Sequence, residues 1–116
     1  MRAYLIPFIL VASGFGSFAG EIRKGATIEV KPNSIWFQET ANLTHWQQLK
    51  KSGDSAALAS YQEEVLSHRD AWQFTKQLTV RILNYEPGKN QVNVEMKTAG
   101  RLLGSTWLLD ADALVQ

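Results

Sequence analysis

From Leu78 to Leu109 the chain alternates in short runs. Leu78, Val80 and Ile82 interleave with Thr79, Arg81 and Leu83, and Val92, Val94 and Met96 interleave with Asn93, Glu95 and Lys97. A period of two places each apolar set on one face of a strand. The two runs are separated by Glu86-Pro87-Gly88-Lys89-Asn90. Proline presets φ for the first central position of a turn and glycine supplies a positive φ at the second, so a type II turn is predicted there. Thr98-Ala99-Gly100 predicts a second turn, and Leu102–Leu109 a third strand with a bulge or bend at Gly104. This stretch therefore reads as a three-stranded antiparallel meander with one wetted face.

The preceding region carries a different period. Ala26, Ile28 and Val30 alternate within Gly25–Lys31, a first strand, and Pro32-Asn33-Ser34 ends it. Ile35, Trp36 and Phe37 form an apolar knot with no periodic assignment. In residues 39–51, Leu43, Trp46 and Leu49 recur every three positions, the stripe of an amphipathic helix, with Lys50 and Lys51 in its last turn. Ser52-Gly53-Asp54 stops it, and Asp54 or Ser55 caps a second helix to about Ser67, striped by Leu58, Tyr61 and Val65. Trp72 and Phe74 continue the phase of Leu78, which starts the first meander strand as early as Ala71. Asp110–Leu114 reads as a helical turn before a closing strand stub at Val115-Gln116.

Residues 1–19 change the picture of where the protein works. Arg2, an apolar run from Ala3 to Ala12, and Ser17-Phe18-Ala19 have the layout of a secretory signal peptide cleaved after Ala19. The apolar run is short against the roughly 20 residues of a bilayer-spanning helix. A periplasmic or extracellular location of a bacterial cell is expected, with residues 20–116 forming one domain. The 116 residues carry 12 Lys+Arg and 11 Asp+Glu, a formal charge of +1. This balance gives no electrostatic footprint for nucleic acid. Cysteine is absent, which excludes disulfides, thiolate metal sites, a cysteine nucleophile and acylation at cysteine.

One strand, a long excursion, three meander strands, a helical turn and a short last strand is the order of an SH3-like domain. Gly25–Lys31 with Leu78–Gln116, including Gly104, Trp107 and the Asp110–Leu114 turn, resembles bacterial members of that family. The resemblance implies an α+β fold: a small SH3-like antiparallel barrel with a helical hairpin, residues 38–68, inserted in its first long loop. It further implies binding of wall glycan or peptide. The acidic-aromatic first loop and the later Pro-x-x-Tyr that eukaryotic members use for proline-rich ligands have no counterpart here, so that binding mode is not carried over.

The candidate chemistry is thin. His45 and His68 have no histidine or cysteine three or four positions away, and a metal site would need both to converge with a carboxylate such as Asp70 or Glu64. His68-Arg69-Asp70 spells a kinase tripeptide, but Thr75 stands where that motif needs asparagine and no glycine-rich phosphate loop exists. No Gly-x-Ser-x-Gly elbow is present, and Asp110 and Asp112 read as capping residues of a turn. The aromatics are the richest feature. Trp46, Tyr61 and Trp107 fall on apolar stripes and are expected in the core. Trp36, Phe37 and Trp72 flank the helical insert and are the expected ligand-binding residues, because aromatic anchors dominate interface energetics. The sequence thus points to an exported, non-enzymatic module that binds a periplasmic protein partner or peptidoglycan, without cofactor or metal. The alternatives are a small secreted hydrolase using His68 and Asp70, and an inhibitor presenting Ser52–Asp54 or Glu86–Asn90 to a secreted enzyme.

Overall fold

The computed structural model describes residues 22–116. The expected signal peptide, residues 1–19, lies outside the described residues. The fold is α+β: six antiparallel strands in one sheet that does not close, and two helices. The strands are β1 (Thr27–Val30), β2 (Ile35–Phe37), β3 (Ala71–Gln73), β4 (Leu78–Glu86), β5 (Gln91–Met96) and β6 (Thr106–Asp110). The helices α1 (Thr40–Ser52) and α2 (Ser55–Ser67) lie between β2 and β3. The spatial order is β1-β4-β5-β6-β2-β3, every neighbouring pair antiparallel.

The meander β4-β5-β6 forms as its alternation predicts. Val80, Ile82, Val92, Val94 and Leu109 are buried on one face. The register shifts between Ile82 and Asn84, leaving Leu83 as an extra residue. Such a bulge reverses the inward phase, which is why Tyr85 rather than Asn84 packs against the core. The turns differ from expectation. Pro87–Lys89 is a single 3₁₀ turn, and the left-handed residue is Asn90 (φ 53°), not Gly88. Asn90 holds that conformation with its side chain fixed, Nδ2 donating to Asp110 Oδ1 at 2.9 Å and Asp112 Oδ1 at 3.1 Å. Residues 102–105 are not strand. Gly100 (φ 142°) and Gly104 (φ 87°) let the chain turn twice before β6 begins at Thr106.

The apolar knot is β2, and its lack of period has a simple cause. Its three residues are buried on both sides, so nothing selects alternation. Trp36 enters one core with Val30, Val80, Val94, Trp107 and Leu109. Ile35 and Phe37 enter a second core with Leu43, Val65 and Ala71, which joins the helical hairpin to the back of the sheet. The hairpin follows its local signals. Gly53 (φ 79°) ends α1, and Asp54 caps α2 by accepting a hydrogen bond from Ala57 N at 3.0 Å. Asn42 Nδ2 donates to Tyr61 Oη at 2.9 Å and Trp46 Nε1 to Gln62 Oε1 at 2.8 Å, tying the helices together.

β3 is a separate strand rather than the start of β4. Trp72 pairs with Trp36, while Val80 pairs with Ile28 and Met96. The shared phase of Trp72 and Leu78 in the sequence therefore spans two strands that are not neighbours in the sheet. After β6, Ala111–Ala113 forms a 3₁₀ turn capped by Asp110, whose carboxylate accepts from Asp112 N at 2.8 Å. The chain then returns to β1 through a single bridge, Val30 to Leu114. Lys31 N donates to Ala113 O and Val115 N to Glu29 O, each at 2.8 Å.

Candidate functional site

The sheet leaves β3 at one edge, and the loop after β5 comes close to it. Between them lies a groove of about 480 Å³, lined by Trp72 and Phe74 on one wall, Leu78 and Met96 on the floor side, and Thr98–Leu102 on the other wall. The loop is built, not merely slack. Gly104 N donates to Met96 O at 2.9 Å, Met96 N to Ser105 O at 2.8 Å, and Leu103 N to Gly100 O at 3.2 Å. Thr98 Oγ1 accepts from Thr79 N at 2.7 Å, and Trp107 Nε1 donates to Ser105 Oγ at 2.8 Å. These bonds hold the loop while turning its leucines outward: Leu102 is 40% and Leu103 56% exposed. With Trp72 at 37%, these are the large apolar side chains left exposed among the described residues. Trp72 stands edge-on to Trp107 at 6.3 Å between ring centroids, and the Arg69 guanidinium lies 5.8 Å from its ring.

The structure keeps one of the three expected ligand-binding aromatics at the surface. Trp36 is 1% and Phe37 0% exposed, so neither offers a platform, and that expectation is corrected. A three-residue strand buried on both faces leaves no periodic trace, and without one its aromatics resemble surface anchors. Trp72 remains available. Trp107 is buried, and Trp46 and Tyr61 are half-buried against the second core. Phe74, Met96, Arg101 and Leu102 were not expected at a site. The signal for them is the bracketing of two adjacent leucines by Gly100 and Gly104, which favours a loop presenting an apolar pair over a strand.

His68 and Asp70 follow α2 on exposed backbone, with Arg69 between them at φ 62°. Neither lines the groove or the polar cavity beside α1. Among the described residues, no three His, Asp or Glu side chains gather in a way that could hold a metal ion. No helix among them is long and apolar enough to cross a membrane.

A second cavity, about 550 Å³, lies between α1 and the end of the sheet and is polar, lined by Gln47, Lys50, Lys89, Asn90, Gln91 and Asp110 among others. Its buried groups answer one another. Gln91 Nε2 donates to Thr44 Oγ1 at 3.0 Å and Gln47 Oε1 at 2.9 Å, while Gln47 Nε2 donates to Asn90 O at 3.0 Å and Asp110 Oδ2 at 3.3 Å. A hydrogen-bonded network of this kind fixes the helix against the sheet. Lys50, at 3.9 Å from Asp110 and 4.0 Å from Asp112, is half-exposed, so these ion pairs add little. Asp110→Ala is expected to cost about 2 kcal/mol, because the Asn90 and Gln47 amides lose a buried acceptor. Urea unfolding of the variant checks this, and an unchanged midpoint would show that the network contributes nothing.

No protein-family model, curated protein or solved structure matches the chain.

Proposed function

We propose that the protein is an exported, non-enzymatic binding module of SH3-like layout whose contact surface is the groove between β3 and the loop after β5. The observation that carries this reading is the grouping of Trp72 and Leu102 around an apolar groove whose loop wall is tied down by hydrogen bonds. Exposed apolar side chains gathered on a held surface mark interaction sites, whereas scattered ones do not. The SH3-like layout is supported by the order of β1, β4, β5 and β6 and by the return of Leu114 and Val115 to β1. Export is supported by the leader-like residues 1–19.

Of the two ligand classes, a protein segment suits the groove better than wall glycan. A glycan site needs planar donors and acceptors for sugar hydroxyls beside its aromatic ring. Around Trp72 the lining is Phe74, Leu78, Met96 and Leu102, with Thr98 and Arg101 as its polar side chains and no carboxylate or side-chain amide to accept from a sugar hydroxyl. The test is selection of displayed random octapeptides on the purified protein and on the Trp72→Ser/Leu102→Ser variant. Peptides enriched by the wild type and lost with the variant, whose unfolding midpoint stays within about 1 kcal/mol of the parent, support the reading. Co-sedimentation with purified bacterial sacculi that depends on the same two residues would replace a protein ligand by wall material. Enrichment that ignores both substitutions would remove the groove from consideration.

A further inference from the structure

Arg69 stands where a helix end ordinarily places glycine. The chain leaves α2 through a pair of bonds, Asp70 N donating to Val65 O at 2.9 Å and Arg69 N to Leu66 O at 3.2 Å. This closure puts the residue just past the helix end in the left-handed region, and Arg69 has φ 62°. Glycine adopts that conformation freely, whereas a Cβ makes it costly. The chain uses glycine at the end of α1, where Gly53 has φ 79°. Arginine at the end of α2 therefore carries a backbone cost that glycine would remove, and strain of this kind directs attention to what the side chain does.

That side chain reaches the groove. Its guanidinium lies 5.8 Å from the centroid of the Trp72 ring, within cation–π range. Trp72 is the exposed aromatic of the groove. A second guanidinium, that of Arg101, belongs to the loop wall opposite. Among the described residues neither arginine takes part in an ion pair, and no carboxylate lines the groove. The apolar lining is thus bordered by two cations that have no counter-ion within the protein. The formal charge of +1 over the whole chain hides this local arrangement.

Resting on the assignment of the groove as the contact surface, we propose that Arg69 is its selectivity residue: the partner segment carries a carboxylate side chain next to the apolar side chain that packs on Trp72, and Arg69 meets that carboxylate. A guanidinium offers two parallel donors to a carboxylate, a geometry that an ammonium lacks. An apolar side chain seated beside the pair displaces water and strengthens it. The two cap bonds fix the backbone from which the arginine departs, and its position over Trp72 restrains it further, so less freedom is lost on binding. The same charge rejects a segment with a cation beside its anchor.

The test pans two displayed octapeptide libraries on the full chain, one with Leu-Asp and one with Leu-Lys fixed at the centre and the other six positions random. The Leu-Asp library is expected to enrich about tenfold over the Leu-Lys library on the parent protein, and the preference to shrink to about twofold on Arg69→Gly, with Arg101 left to sustain the remainder. The urea midpoint of Arg69→Gly should be no lower than that of the parent, because glycine relieves the cap. A lowered midpoint with the Leu-Asp preference intact would show that Arg69 serves the fold and not the partner. Equal enrichment of the two libraries on the parent, lost with Trp72→Ser/Leu102→Ser, would overturn the acidic partner and leave the groove standing. Enrichment of neither library, together with no peptides selected from fully random octapeptides, would overturn the selectivity and the site alike.

Discussion

Replacing Trp36 by alanine is expected to lower the unfolding free energy by about 3–5 kcal/mol. Trp36 sits in a three-ring cluster, with Phe74 at 5.1 Å and Trp107 at 5.8 Å, while Phe74 and Trp107 lie 5.7 Å apart. All three contacts are edge-to-face, with interplanar angles of 88–89°, the arrangement ring quadrupoles favour. Alanine would leave a cavity among these rings and Val80, Val94 and Leu109, and a three-residue strand pinned on both faces has little room to collapse into it. Against a total stability of about 5–15 kcal/mol this loss is large. Urea unfolding should show a lower midpoint with little change in slope. Trp72→Ala, by contrast, should cost about 1 kcal/mol or less, because that ring is already half in water. Were Trp36→Ala to leave the midpoint unchanged, Trp36 would be no core residue and the broader aromatic platform would return.

Leu43→Ala should cost about 2–5 kcal/mol, and the loss should fall unevenly across the fold. Leu43 is fully buried on α1, in the core it shares with Phe37, Ile35, Val65 and Ala71. That core and the Gln47–Gln91–Asp110 network attach the helical hairpin to the sheet. Weakening one attachment should lower amide protection in α1 and α2 more than in β4 and β5, whose own core is separate. Hydrogen exchange read residue by residue checks this. A uniform loss across helices and meander would show that the two cores unfold as one.

The comparison between residues and fold is most instructive where the two differ. The helical hairpin was legible almost to the residue, because its signals are local: a stripe at helical spacing, Gly53 at the stop and Asp54 at the cap. The meander was legible for the same reason. Its turns were not. Gly88 carries the stronger local preference for positive φ, yet Asn90 adopts it, since Asp110 and Asp112 wait across the sheet to receive its side chain. A distant partner overrode a local propensity. Of the expected contact residues, Trp72 lies at the groove and Trp36 and Phe37 lie in the cores. Nothing in three consecutive apolar residues distinguishes a surface knot from a strand buried on both sides.

What the sequence determined by itself, then, is every feature that neighbours along the chain can enforce: the strand and helix periods, the capped hairpin, the antiparallel meander and the α+β class. The tertiary structure alone decided which strand β3 joins, which glycines turn the loop before β6, and that this loop meets β3 across a groove. Those outcomes depend on contacts between residues far apart in the chain, such as Trp36 with Trp72 and Trp72 with Trp107. A pattern with period two fixes which side chains share a face. It carries no information about which strand lies beside them, and that choice places the site.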